Sequence, residues 1–121
     1  MATLHANSAA DALDRLESML TLAMPAQPVT TLAGWIGSAI DLVVHCERAA
    51  DGRRWVSAIA AIEAGAGGAL TATHVYWLPS PGSCATDTQS VCGEVPRRCL
   101  ERMARHGVRF PPALFARGTA A

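Results

Sequence analysis

Lysine is absent from the 121 residues, and all ten basic side chains are arginine. A phosphate-binding loop of the G-x-x-x-x-G-K-[ST] kind needs an ammonium to reach the terminal phosphates, so this chain does not carry one. Schiff-base chemistry and a lysine general base are excluded on the same ground. Charge of either sign is scarce, with ten acidic residues balancing the ten arginines and charged residues at 17%. That balance excludes a disordered acidic or basic tail and gives no electrostatic reason to expect direct nucleic-acid binding. Long apolar runs are missing too: the stretches 36–44 and 56–62 are interrupted by Ser38, Asp41 and Ser57, well short of a membrane span. The first fifteen positions hold polar and acidic residues and lack the basic and apolar regions of an export signal. Four cysteines beside a 50% apolar composition are too few for a secreted disulfide scaffold. The expectation is a single cytoplasmic domain with reduced thiols.

What is present has clear periodicity. Ser8 followed by Asp11 resembles a capping box, and Leu13, Leu16, Leu20 and Ala23 then recur at spacings of three and four. This predicts a helix over 9–23, stopped by Pro25 and Pro28. A second helix is expected over 29–39, with Leu32, Trp35, Ile36 and Ala39 on one stripe. From Asp41 the pattern becomes β. The run DLVVHCER, the Asp51-Gly52 turn and RRWVSAIAAIE, alternating through Trp55, Ser57, Ile59 and Ala61, predict a hairpin. After the glycines at 65–68, ALTATHVYWL predicts a third antiparallel strand. Residues 79–93 are expected to form a flexible loop. Pro96 in a first turn and Gly107 as C-cap bound a last helix, and PPALF suggests one more helical turn.

Three segments, TLHANSAADALDRLESML, IGSAIDLVVHCERAADGRRWVSAI and GEVPRRCLERMARHGVRFPPALF, resemble in order the distal part of the type II/type IV secretion ATPases. The tight-adherence pilus and conjugation branch is the nearest likeness. Its members carry a histidine box T-[LIV]-H-A-N-S at the end of a strand, a helix A-L-x-R-L-E, a junction I-A-S-A-I-D-L-[IV]-V and a D-G-x-R hairpin. The resemblance is tight over 2–63 and looser over 93–115. It implies an α/β fold: the C-terminal part of a RecA-like motor, with helices and a small antiparallel β-meander. It further implies ATP and Mg as cofactors of the complete protein, a hexameric homo-oligomer or a missing N-terminal half as partner, and inner-membrane secretion or pilus machinery nearby. In such ATPases the phosphate loop, the acidic box and the Mg-coordinating aspartate precede the histidine box, with which this sequence begins. The expectation is a C-terminal fragment, inactive alone, arising from truncation, a misplaced start or a split gene. A binding module that docks on a full-length secretion ATPase is the alternative.

The resemblance assigns His5 to the box histidine, a nucleotide-sensing group that donates a hydrogen bond to phosphate without being the base. Asn7 and Ser8 match the same box, and capping a helix is a sufficient job for Ser8. Arg15, Arg53 and Arg54 are the interface candidates: Arg15 reaching phosphate or a neighbouring subunit, or else solvated beside Asp11 and Glu17, and the other two touching a subunit or merely flanking a polar hairpin. Asp41, Val43 and His45 share a strand face, but no nucleophile joins them locally, which makes Asp41 a junction residue. Cys84, Cys92, Cys99 and His106 lie seven or eight apart, unlike the C-x(2–4)-C and H-x(3–5)-H pairs of zinc modules, so no metal is expected and Cys99 is assigned to the core. Arg97, Arg98, Arg102 and Arg105 form a basic stripe, a solvated helix face or a contact for an acidic partner or lipid headgroups.

Overall fold

The computed structural model describes residues 1–65, 67–78, 91–92 and 95–108. Helices α1 (Ala9–Ala23) and α2 (Val29–Ala39) precede strands β1 (Leu42–Arg48), β2 (Arg54–Ala64), β3 (Leu70–Trp77) and β4 (Val91–Cys92), and α3 (Arg97–Arg105) follows. The architecture is mixed helix and sheet. Among the described residues all strand pairings are antiparallel, in the order β1-β2-β3-β4, which leaves β1 at one edge.

Ser8 caps α1 as its position suggests, accepting from the Asp11 amide at 3.0 Å. The reciprocal arm differs from a capping box. Asp11 is one methylene shorter than Glu, and its carboxylate accepts from the Asn7 amide at 2.7 Å and from Asn7 Nδ2 at 3.0 Å. On α2 the buried stripe is Leu32, Ala33, Ile36 and Gly37, while Trp35 is 46% exposed and Ala39 also faces outward. The expected stripe was rotated by about one residue. The helix turns its narrow, glycine-bearing side to the sheet, which brings the backbones close.

The alternation through Trp55, Ser57, Ile59 and Ala61 is also corrected. A β-bulge between β1 and β2 moves the partner of Cys46 to Val56 while His45 pairs with Ala58, leaving Ser57 as the extra residue. Every side chain on one side of the bulge therefore changes face relative to simple alternation. Beyond it, Ile62 and Ala61 point to opposite faces. Ile62 meets Leu13 of α1 and Ile36 of α2, with Leu16, Leu20, Val43 and Leu70 around them. Ala61 meets Val95 and Cys99, with Val75 and Met103 alongside. The sheet thus lies between α1 and α2 on one face and α3 on the other.

Two residues of the expected loop at 79–93 are instead a strand, because Val91 and Cys92 pair with Trp77 and Tyr76 at the end of β3. The rest of that segment, and the PPALF turn, lie outside the described residues. Pro96 stands one position earlier than expected, as the N-cap of α3, where its missing amide costs nothing. Gly107 just past α3 has φ +76°, the left-handed conformation that ends a helix without strain only at glycine. No helix among the described residues is long and apolar enough to cross a membrane.

Burial of the Cys99 thiol raises its pKa, and the charge of Asp41 adds to the effect. Cys46, on the edge strand, is exposed. Alkylation of the native chain followed by peptide mapping is expected to modify Cys46 roughly tenfold or more faster than Cys99, the difference vanishing in denaturant. Equal native rates would contradict the seating of α3 on the sheet.

Candidate functional site

The described structure brings the polar residues together at two places, one under the N-terminal segment and one at the junction of α2 and β1. The first centres on His45 of β1. Its Nδ1 lies 2.9 Å from Ser57 Oγ, and its Nε2 lies 3.3 Å from the carbonyl oxygen of Ala6. The Ser57 hydroxyl is also 3.4 Å from the His45 carbonyl, and Glu47 Oε1 is 3.6 Å from Nδ1. The Ala6 carbonyl only accepts, so Nε2 must carry the proton to bond it. In the neutral ring Nδ1 then accepts from the Ser57 hydroxyl. If the ring is charged, both nitrogens donate, and the hydroxyl turns to the His45 carbonyl. Every polar atom has a partner in either state, consistent with the absence of unsatisfied buried polar side-chain atoms among the described residues.

Serine beside histidine invites comparison with a nucleophile and its base, and the geometry argues against it. Ser57 is only 3% exposed, and Nε2 is occupied by a backbone carbonyl from 39 residues away. A substrate carbonyl has no approach to a hydroxyl buried in a bulge. Two shallow surface depressions, of about 600 and 290 Å³, are lined by Asp14, Glu17, Leu22 and Val29 in one case and by Gly37, Ser38, Glu63 and Arg98 in the other. Neither includes His45 or Ser57.

His5 precedes the anchored Ala6 and is exposed, with its ring free to project outward. The segment that resembles a histidine box does not end a strand here, as residues 1–6 have no regular secondary structure. The start of α1 is already neutralised by the Asp11 carboxylate, so it is not an open anion site despite its dipole. Of the interface candidates, Arg15 is exposed on α1, and no ion pair joins it to Asp11 or Glu17. Arg53 folds back onto its own turn. Its Nε donates to Asp51 Oδ2 at 2.7 Å and its amide donates to Oδ1 at 3.0 Å. Those two bonds, the amide first, hold the Asp51 carboxyl below its ordinary value of 3.8. Arg54 pairs across the hairpin with Arg48, whose Nε donates to the Gly52 carbonyl at 3.2 Å. The hairpin tip is therefore basic. It begins three residues beyond His45 along β1, about 10 Å on.

The second place explains the arginine stripe of α3. Asp41 accepts from Arg102 at 2.7 Å and lies 3.4 Å from Arg98 Nη2. Arg98 Nη1 donates to the Gly37 carbonyl at 2.7 Å. Two arginines thus clasp the last turn of α2 and the junction leading into β1, where the helix carbonyls lack intrahelical donors. Arg97 pairs with Glu101 one turn on, at 2.8 Å. Only part of the stripe is the solvated face that its charge suggested, because Arg98 and Arg102 hold elements together. Asp41 is a junction residue, as its position implied.

No group of three or more His, Cys, Asp or Glu side chains among the described residues is placed to hold a metal ion. Cys99 is buried, His106 is the exposed C-cap of α3, and Cys84 lies outside the described residues. Sequence reasoning missed Ser57 as the partner of His45. The signal was available in the hairpin: counting back from Arg48 opposite Arg54 brings His45 level with Ser57, one step before the bulge. No protein-family model and no curated protein matches the chain.

Proposed function

We propose that this chain is the distal part of a secretion or pilus-assembly ATPase of the type II/type IV class, whose phosphate loop is supplied from outside these 121 residues. The observation that supports this most is the seating of the T-L-H-A-N-S segment. Its Ala6 carbonyl is anchored on His45 of β1, the strand that leads into the hairpin tip of Arg53 and Arg54, while His5 stays exposed. In such a motor the exposed imidazole donates a hydrogen bond to a nucleotide phosphate, and the tip arginines meet the negative charge of that site or of the next subunit. The residues present fit one corner of an ATP site and not the whole. A chain without lysine lacks the ammonium that reaches the terminal phosphates, and no cluster among the described residues suits Mg. ATP and Mg therefore belong to the completed assembly, most simply a hexamer beside the inner membrane.

A docking module for a full-length ATPase is the second reading, favoured by one observation. The edge strand β1 presents Leu42 at 46% and Val44 at 55% exposure, which leaves a pairing edge with apolar side chains uncovered. ATP hydrolysis separates the two. The chain alone is expected to be silent, and mixing it with the product encoded just upstream is expected to give hydrolysis that His5→Ala reduces roughly tenfold or more. Stable association without hydrolysis would favour the docking module. Hydrolysis by the chain alone would overturn both.

A further inference from the structure

We propose that His45 and Ser57 are positioning residues for the histidine segment: together they hold the Ala6 carbonyl and so fix where His5 projects. The inference rests on the proposed function for its catalytic consequence, whereas the anchoring itself stands on geometry. An isolated imidazole and hydroxyl on the packed face of a sheet are costly unless bonded. The His45 side chain is 13% exposed and Ser57 is 3% exposed. Strand propensity and burial would favour a β-branched apolar residue at both positions. What the polar pair adds is directional. Ser57 sets the ring through Nδ1 at 2.9 Å, and the ring sends its other N–H to the chain at Ala6, 3.3 Å away. The bulge serves the same end, since it leaves Ser57 without a strand partner and free to face His45.

On the other side of Ala6 the chain is held at once by the helix start. Asn7 is tied to Asp11, and Ser8 caps the Asp11 amide. The segment carrying His5 is thus fixed at its C-terminal end by two devices, one local and one reaching across to the sheet. The second ties it directly to β1, the strand that runs from His45 into the hairpin tip, whereas the first ties it to α1, which packs on the sheet through Leu13. Glu47, next on the same face of β1, is half exposed and 3.6 Å from Nδ1, so it can hold the ring orientation but does not reach the segment.

The test uses the full chain with His45→Phe, His45→Gln and Ser57→Ala. Gln offers an amide N–H close to the position of Nε2, and Phe fills the space without a donor. The first readout is hydrogen exchange at the Asn7 and Asp11 amides, both hydrogen-bonded at the helix start. His45→Phe is expected to speed their exchange roughly tenfold with the β2 and β3 amides unchanged, Ser57→Ala to do so less, and His45→Gln to restore protection to within about threefold. Unchanged protection in His45→Phe, uniform loss over the whole chain, or failure of Gln to restore it would each overturn the proposal. The second readout is ATP hydrolysis with the upstream product. His45→Phe should lower kcat as His5→Ala does, with Gln again restoring it and the affinity between the two segments unchanged. If the exchange effect appears but the wild-type mixture is inactive, the anchoring holds and the functional reading fails. If the wild-type mixture is active and His45→Phe leaves kcat unchanged, the functional reading holds and the positioning role is overturned.

Discussion

Ile62→Ala is expected to cost about 2–5 kcal/mol, measured as the shift in urea midpoint at constant slope. Ile62 is 2% exposed in the central strand and is the residue at which α1 and α2 meet the sheet, through Leu13 and Ile36. Removing three carbons there forfeits the transfer energy of the side chain and leaves a cavity that two helices and a paired strand cannot close. A domain of this size has only about 5–15 kcal/mol of total stability, so the substitution takes a large share of it. Val44→Ala is the control. Val44 is 55% exposed on the edge strand, and its truncation should move stability by no more than about 0.5 kcal/mol. Equal effects at the two positions would contradict the placement of both helices over β2. The consequence reaches the candidate site as well, because α1 carries the anchored segment at its N-terminus.

How much of this was legible in the sequence differs from element to element for physical reasons. The helices 9–23 and 29–39 match the structure because each is bounded by groups that act locally: a serine cap, a Met-Pro break and a proline ahead of the first turn. The hairpin matches because Gly52, at φ +87°, accepts a backbone conformation that its neighbours resist. Faces were harder. Whether Trp35 or Gly37 turns inward depends on how closely the sheet approaches, a tertiary quantity with no local signature. The bulge at Ser57 likewise answers to a partner strand and to a side chain 12 residues away. The clasp on Asp41 spans about 60 residues, from α2 and β1 to α3, and composition shows its arginines only as a stripe. That Ala6 rests on His45 was not legible, because a contact across 39 residues leaves no periodic trace.

Gly37→Val should destabilise the chain by about 1–3 kcal/mol, whereas Gly34→Ala, three positions away on the same helix, should stabilise it by up to about 1 kcal/mol. Both glycines lower helix propensity, so propensity alone predicts a gain at each. The surroundings decide otherwise. A Cβ at Gly34 meets nothing within 4 Å, but one at Gly37 falls 2.8 Å from the Ala64 Cβ and 3.3 Å from Leu70 Cδ2. The Ala64 Cβ is rigidly attached to β2 and cannot swing aside, so the helix has to move, and a β-branched side chain enlarges the clash. Moving the helix has a second cost, since the Gly37 carbonyl accepts from Arg98 at 2.7 Å, and that charge-assisted bond contributes about 1.5–3 kcal/mol when well formed. Thermal or urea unfolding of the two variants measures the difference. Adding Arg98→Ala to each tests its origin: the Gly37→Val loss should shrink when the clasp is already gone, while the Gly34→Ala gain should be unaffected. Additivity at Gly37 would mean that the clash is absorbed within α2 and β2 without disturbing the junction that Arg98 and Asp41 hold.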